Sequence, residues 1–230
     1  MPALITSLID KTDNVELVRD QIAAILVLES TNQAALALAA GKQQRLWKLR
    51  VFQERSAPWS YFEEDPEKSL DLDTRERIPI VSVALDSATI DPSRSNTVER
   101  QLTKAVYHID CYGFGVSQAT GGHTAGDEDA ALEAQRAMRW VRNILMSGHY
   151  TYLGMRGIVS YRMPQSFQML QPQIDSRPVQ RVMGCRLQFE VHVDELSPQL
   201  TAQNLEYIAI EIRKDTVTGQ LLLQADFDHS

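Results

Sequence analysis

The side chains able to do chemistry are few and scattered. Five histidines, His108, His123, His149, His192 and His229, include no pair at the three- or four-residue spacing that sets two imidazoles on one helical face for a metal. Cys111 and Cys185 lie far apart in strand-like runs, where a small buried hydrophobe is the ordinary role of a cysteine and a reducing compartment is implied. His108 and Asp110 share one strand face, and His192 sits on another strand. Together they would make a polar pair or hydrolytic triad, although half-exposed strand residues give the same pattern. There is no Gly-x-Ser-x-Gly elbow, phosphate loop or dinucleotide fingerprint, and Gly113-Phe-Gly115 is not followed closely by a helix. Gly121-Gly122-His123 precedes a helix start, where backbone N–H groups can hold an anion, but Asp127, Glu128 and Asp129 already bring negative charge there. The run Glu63-Glu64-Asp65-Pro66-Glu67 reads as a cation site or, more simply, a solvated charge cluster. These readings predict no catalytic residue, no metal and no cofactor, and so a protein that is not an enzyme.

The element around which the chain is arranged is the helix expected from Gly126 to Gly148. Asp127 is placed as its N-cap, Glu128 and Asp129 in the first turn oppose the helix dipole, and Gly148 is expected to stop it. Ala130, Ala134, Ala137, Met138, Val141, Ile144 and Leu145 form its apolar stripe, which needs a sheet to cover. Arg136, Arg139 and Arg142 recur at three-residue steps on other faces. They are candidates for meeting carboxylates on a neighbouring subunit or for facing water.

Before it, Asp13 and Glu16 have capping-box spacing ahead of Leu17, Val18, Ile22, Ile25 and Leu26. Ser30-Thr31-Asn32 is expected to interrupt that helix and cap a second piece, Gln33 to Ala40, ended by Gly41. From Gln43 the period changes to two, with Trp47, Leu49 and Val51 on one face of a strand that ends near Arg55. Ser56 to Arg77, with Pro58, Pro66, Trp59, Tyr61 and Phe62, reads as a long loop or arm, either disordered, an extended hairpin or, the favoured reading, a surface that orders on a neighbouring subunit. Ile78–Ile90 and Thr103–Val116 are strands, the latter apolar on both faces and therefore central. After the helix come strands at Arg156–Met163 and Val179–Val193, joined by a connection from Phe167 to Arg177, with a bulge expected at Gly184 and a stop at Ser197-Pro198. Leu205 to Phe227 reads as a hairpin.

The chain has 230 residues, 43% hydrophobic and 23% charged, enough for a substantial core. Its net charge of −7 argues against clinging to nucleic-acid backbone. No run of about 18 apolar residues and no leader pattern is read, so a protein without a membrane partner is expected. No repeat or low-complexity tract is present. The fold class expected is α/β of the α+β type: one domain with a mixed, mainly antiparallel sheet flanked by two main helices and a C-terminal β-hairpin extension from residue 203 to 230.

The order helix, three strands, helix, two strands resembles the tail terminator, or tail completion, proteins of long-tailed bacteriophages and related contractile particles. The resemblance spans Asp13 to Glu195. It rests on the helix from Asp13, the strand ending in His108-Ile-Asp-Cys-Tyr112, the Asp127-Glu-Asp-Ala-Ala-Leu-Glu-Ala helix and the Arg186-Leu-Gln-Phe-Glu-Val191 strand. It implies a structural virion protein, assembled in the host cytoplasm, that forms a hexameric ring closing the tail tube and joining the tail to the head. Its implied partners are its own copies, the tail tube protein, a head–tail connector or neck protein and a tail sheath or collar, with DNA only passing through the lumen. Trp59, Tyr61, Phe62, Arg136, Arg139, Arg142, Tyr207 and Ile210 are the candidate subunit contacts. Another neck, connector or sheath-linked component would share this pattern. A hydrolytic enzyme or a ligand-binding domain are the readings from other classes.

Overall fold

A computed structural model of the chain describes residues 8, 9, 11–58, 78–95, 100–115, 126–172, 181–196, 207–213 and 221–228. The first helix, α1 (Asn14–Ala39), begins where Asp13 accepts a hydrogen bond from the Val15 N–H at 2.7 Å. It ends at Gly41, whose φ of +68° lets the chain turn back. Gly41 N–H then reaches Leu38 O at 3.0 Å and Lys42 N–H reaches Ala37 O at 2.8 Å, satisfying carbonyls that a helix end leaves orphaned.

The interruption expected at Ser30-Thr31-Asn32 does not occur. Ser30 is buried, and its hydroxyl oxygen accepts the Leu49 N–H at 2.7 Å, while the Thr31 hydroxyl donates to Val27 O at 2.9 Å. Hydroxyls that could compete for the helix backbone are thus satisfied elsewhere or one turn back, and the helix continues. As one piece, α1 is long and apolar enough by length and composition to cross a membrane, contrary to the sequence reading. Its inner face belongs to the core, through Val18, Ile22 and Leu26.

Five strands form one sheet: β1 (Arg50–Gln53), β2 (Ile80–Ile90), β3 (Arg100–Gly115), β4 (Val159–Leu170) and β5 (Arg181–Leu196). Their order is β1-β2-β3-β5-β4, parallel between β1 and β2 and antiparallel elsewhere. The sheet is therefore mixed and mainly antiparallel, an α+β fold with β3 at its centre.

Three boundaries differ from expectation. Gln44–Trp47 is a 3-10 turn, so the first strand is only four residues long. β4 continues through Phe167 to Leu170, because Pro164 is tolerated on an edge strand where the register shifts between Pro164 and Ser166. No bulge occurs at Gly184, since β3 and β5 pair without a shift from Arg100↔Leu196 to Gly115↔Arg181. Gly184 is small for another reason: a Cβ there would meet Leu170 Cγ at 2.8 Å and the Tyr112 ring at 3.1 Å.

The second helix, α2 (Gly126–Leu145), buries the stripe read from the sequence, Ala130, Ala134, Ala137, Met138, Val141, Ile144 and Leu145. Asp127 lies inside its first turn and its carboxylate accepts the Glu128 N–H at 3.1 Å, so it is not the N-cap. The helix also stops before Gly148, which instead opens a 3-10 turn, Gly148–Tyr150, capped by the Ser147 hydroxyl. Alanine on α2 meets glycine on β3. A Cβ on Gly113 would overlap Ala130 O, and one on Gly115 would overlap Gly126 O. The pair Gly113 and Gly115 is therefore what lets helix and sheet approach.

Both helices share one core with one face of the sheet. Ala105, Tyr107, Ile109 and Cys111 of β3 and Cys185, Leu187, Phe189, Val191 and Val193 of β5 join Val15, Val18, Ile22 and Leu26 of α1. The Tyr107 hydroxyl donates to Val15 O at 2.8 Å, tying β3 to the start of α1. Cys111 and Cys185 are directly opposed in register, buried and free, in the small-hydrophobe role the sequence assigns them; burial pushes both thiols up from their ordinary pKa.

The chain falls into two compact units, one spanning Thr12–Ser197. In the other, β6 (Tyr207–Arg213) and β7 (Leu221–Asp228) pair antiparallel as the expected hairpin.

Candidate interaction surface

The sheet face away from the helices carries polar side chains arranged as cross-strand ladders. At its centre Asp110, 8% exposed, accepts from Arg186 Nε at 2.7 Å and Nη2 at 2.8 Å and from the Tyr112 hydroxyl at 3.2 Å. This two-pronged, charge-assisted contact holds the Arg186 guanidinium up from its ordinary pKa, and burial together with Asp110 does the same to the Tyr112 phenol. One row along, His108 lies 3.5 Å from Asp86 and 3.5 Å from the Gln188 amide, which accepts in turn from the Ser166 hydroxyl at 2.8 Å. Farther out, His192 stacks on Tyr161 at 4.5 Å between ring centres and meets Glu190 at 2.8 Å.

The histidine–aspartate constellation read from the sequence is therefore not assembled. His108 opposes Gln188, Asp110 opposes Arg186 and His192 opposes Lys104, and no hydrogen bond joins any two of the three. The acceptor that a triad would need on its base is occupied by Arg186. Among the described residues, no three histidine, cysteine or acidic side chains gather as a metal site.

The described residues among the expected subunit contacts fall on different elements. Arg136 and Arg139 are exposed on α2, whereas Arg142 is half-buried with its guanidinium 6.0 Å from the Phe167 ring on β4. Tyr207 and Ile210 lie on β6, opposite Asp228 and Ala225. Trp59, Tyr61 and Phe62 of the arm, the Glu63–Glu67 cluster and the Gly121-Gly122-His123 turn lie outside the described residues.

What the sequence reading missed is at the sheet edges. Among the described residues β4 has a strand neighbour on one side only, and Tyr161, Met163, Phe167 and Met169 are exposed along it, Phe167 at 57%. On the opposite side β1 covers β2 only from Ile80 to Val83, which among the described residues leaves Leu85 to Ile90 as a second edge. The start of that edge is capped by Glu54, which adopts a φ of +48° and accepts the Leu85 N–H at 3.0 Å while Arg19 holds it at 3.3 Å. A signal for β4 was present: large apolar residues around a proline mark an edge strand. No family model matches this chain, and no curated protein matches it.

Proposed function

We propose that the chain is a structural virion protein of the tail terminator type, forming a hexameric ring that closes the tail tube and joins it to the head or neck. The reading is supported by one observation above the rest. Among the described residues the sheet ends in two different edges on opposite sides, β4 and the outer half of β2, and β4 is lined by exposed Tyr161, Met163, Phe167 and Met169. A closed ring needs heterologous contacts, one surface meeting a different surface of the next copy. Two unlike edges on one subunit supply such a pair, and strand addition at an edge provides backbone hydrogen bonds as well as side-chain burial. The polar face is compatible with this role, since Asp110 is held by Arg186.

The test is co-assembly with the tail tube protein from the same source, followed by electron microscopy. A ring seated at one end of each tube, absent when the chain is omitted, is the expected result. Rings that bind a neck or connector protein but never the tube would move the chain to a neighbouring position in the particle. A chain that neither self-associates nor binds any of these would overturn the proposal.

A further inference from the structure

A cleft of about 390 Å³ opens between the second half of α1 and the C-terminal end of α2. Its lining mixes polar side chains with aromatic ones: the Trp47 and Trp140 indoles stand edge to face at 85°, 5.9 Å between ring centres, and Tyr150 lies beside Glu29. Glu29 is set among them. Its carboxylate accepts the Tyr150 hydroxyl at 2.6 Å and the Asn32 amide at 3.3 Å, contacts that hold it ionised below its ordinary pKa, with the Tyr150 bond as the main cause. No lysine or arginine is among the residues lining the cleft; the one basic side chain there is His149, whose charge adds a smaller attraction to Glu29. The three neutral donors on Glu29, from Tyr150, Asn32 and Gln33, leave part of the acceptor capacity of a carboxylate unused.

An ionised carboxylate flanked by indole and phenol rings is a cation site by its chemistry, since the ring faces and the carboxylate attract the same charge. We propose that this cleft binds a guanidinium group, the side chain of an arginine presented by another protein chain. Three features favour guanidinium over ammonium. A planar cation can stack on an indole, its fork of donors matches a carboxylate, and the amides of Asn32, Gln33 and Asn143 offer further acceptors around the rim. The cleft exceeds the head group alone and lies within the volume range of small-ligand sites, which leaves room for the stem. The exposed apolar residues of the β4 edge and the outer β2 edge are not among the residues lining the cleft, so its occupancy can be tested apart from the ring reading.

The test is titration of N-acetyl-arginine methylamide, with the lysine and citrulline analogues beside it, into the Trp59→Phe chain. Trp47 and Trp140 are then the only indoles. The expected result is a saturable change in indole fluorescence in the millimolar range for arginine, weaker for lysine and none for uncharged citrulline. Glu29→Gln should weaken arginine binding about tenfold with an unchanged circular dichroism spectrum. The unmodified chain followed by its indole N–H resonances gives the same comparison of the three probes if either variant fails to fold. Absence of saturable binding, equal binding of citrulline or lysine, or full retention of binding in Glu29→Gln would overturn the proposal.

Discussion

Gly113 shows how a single residue sets the spacing of two layers. Its neighbour across the packing interface is the α2 backbone at Ala130, which cannot swing aside as a side chain can. Gly113→Ala should therefore cost about 2 kcal/mol or more, read as a lower urea midpoint, while the same substitution at Gly148, which has open space around its Cβ position, should cost far less. A smaller loss at Gly113 than at Gly148 would contradict the close-approach account.

Tyr150 and Glu29 give a residue-scale prediction in pH. The Tyr150 phenol is pushed up to about 12 by its bond to Glu29, and Glu29 is held below its ordinary range by the same bond. For the phenol, whose folded pKa is raised, the stabilisation is full below the ordinary value of 10.0 and is lost as pH rises toward about 12. For the carboxylate, whose folded pKa is lowered, it is present above the ordinary value of 4.5 and is lost as pH falls below it. Tyr150→Phe should thus lower stability by about 1 kcal/mol near neutral pH, a modest value because the pair is reached by solvent. The difference from the unsubstituted chain should shrink on both the acid and the alkaline side; a difference constant across that range would show that the bond is not its source.

At the scale of elements, what could be read from the sequence was whatever had a period. The α2 stripe from Ala130 to Leu145, the central place of β3 and the C-terminal hairpin follow from spacings of three and four or of two, and each is present. Misreadings arose where a local signal was overridden by a distant partner. Ser30 looks like a helix break until Leu49 supplies its hydrogen bond, Gly184 looks like a bulge until Leu170 and Tyr112 fill the space beside it, and Pro164 hid the length of β4 because edge strands accept proline. The histidine–aspartate grouping failed for the same reason: strand alternation puts His108, Asp110 and His192 on one sheet face, but only the register reveals Arg186 opposite Asp110. The edges themselves yield a prediction. Phe167→Glu on β4, a residue 57% exposed, should leave the fold intact and weaken self-association about tenfold or more, measured by sedimentation velocity. Unchanged association in that variant would remove β4 from the interface.

At the scale of the molecule, the described part of the Thr12–Ser197 unit, one sheet covered on one face by two helices, presents to partners the polar face, two unlike edges and the outer side of α1. The last exposes Leu17, Leu28 and Leu38 along a helix whose opposite side is core. Apolar exposure of this kind on several sides fits a part built into an assembly better than a free-standing monomer, and unlike edges fit an assembly closed by rotation. The most direct test is the mass of the purified chain in solution by light scattering across a concentration series, with negative-stain imaging of the same sample. The account predicts closed rings of about six subunits, forming on the chain alone or, at minimum, on addition of tail tubes. A strict monomer at every concentration, with and without tubes, would contradict it.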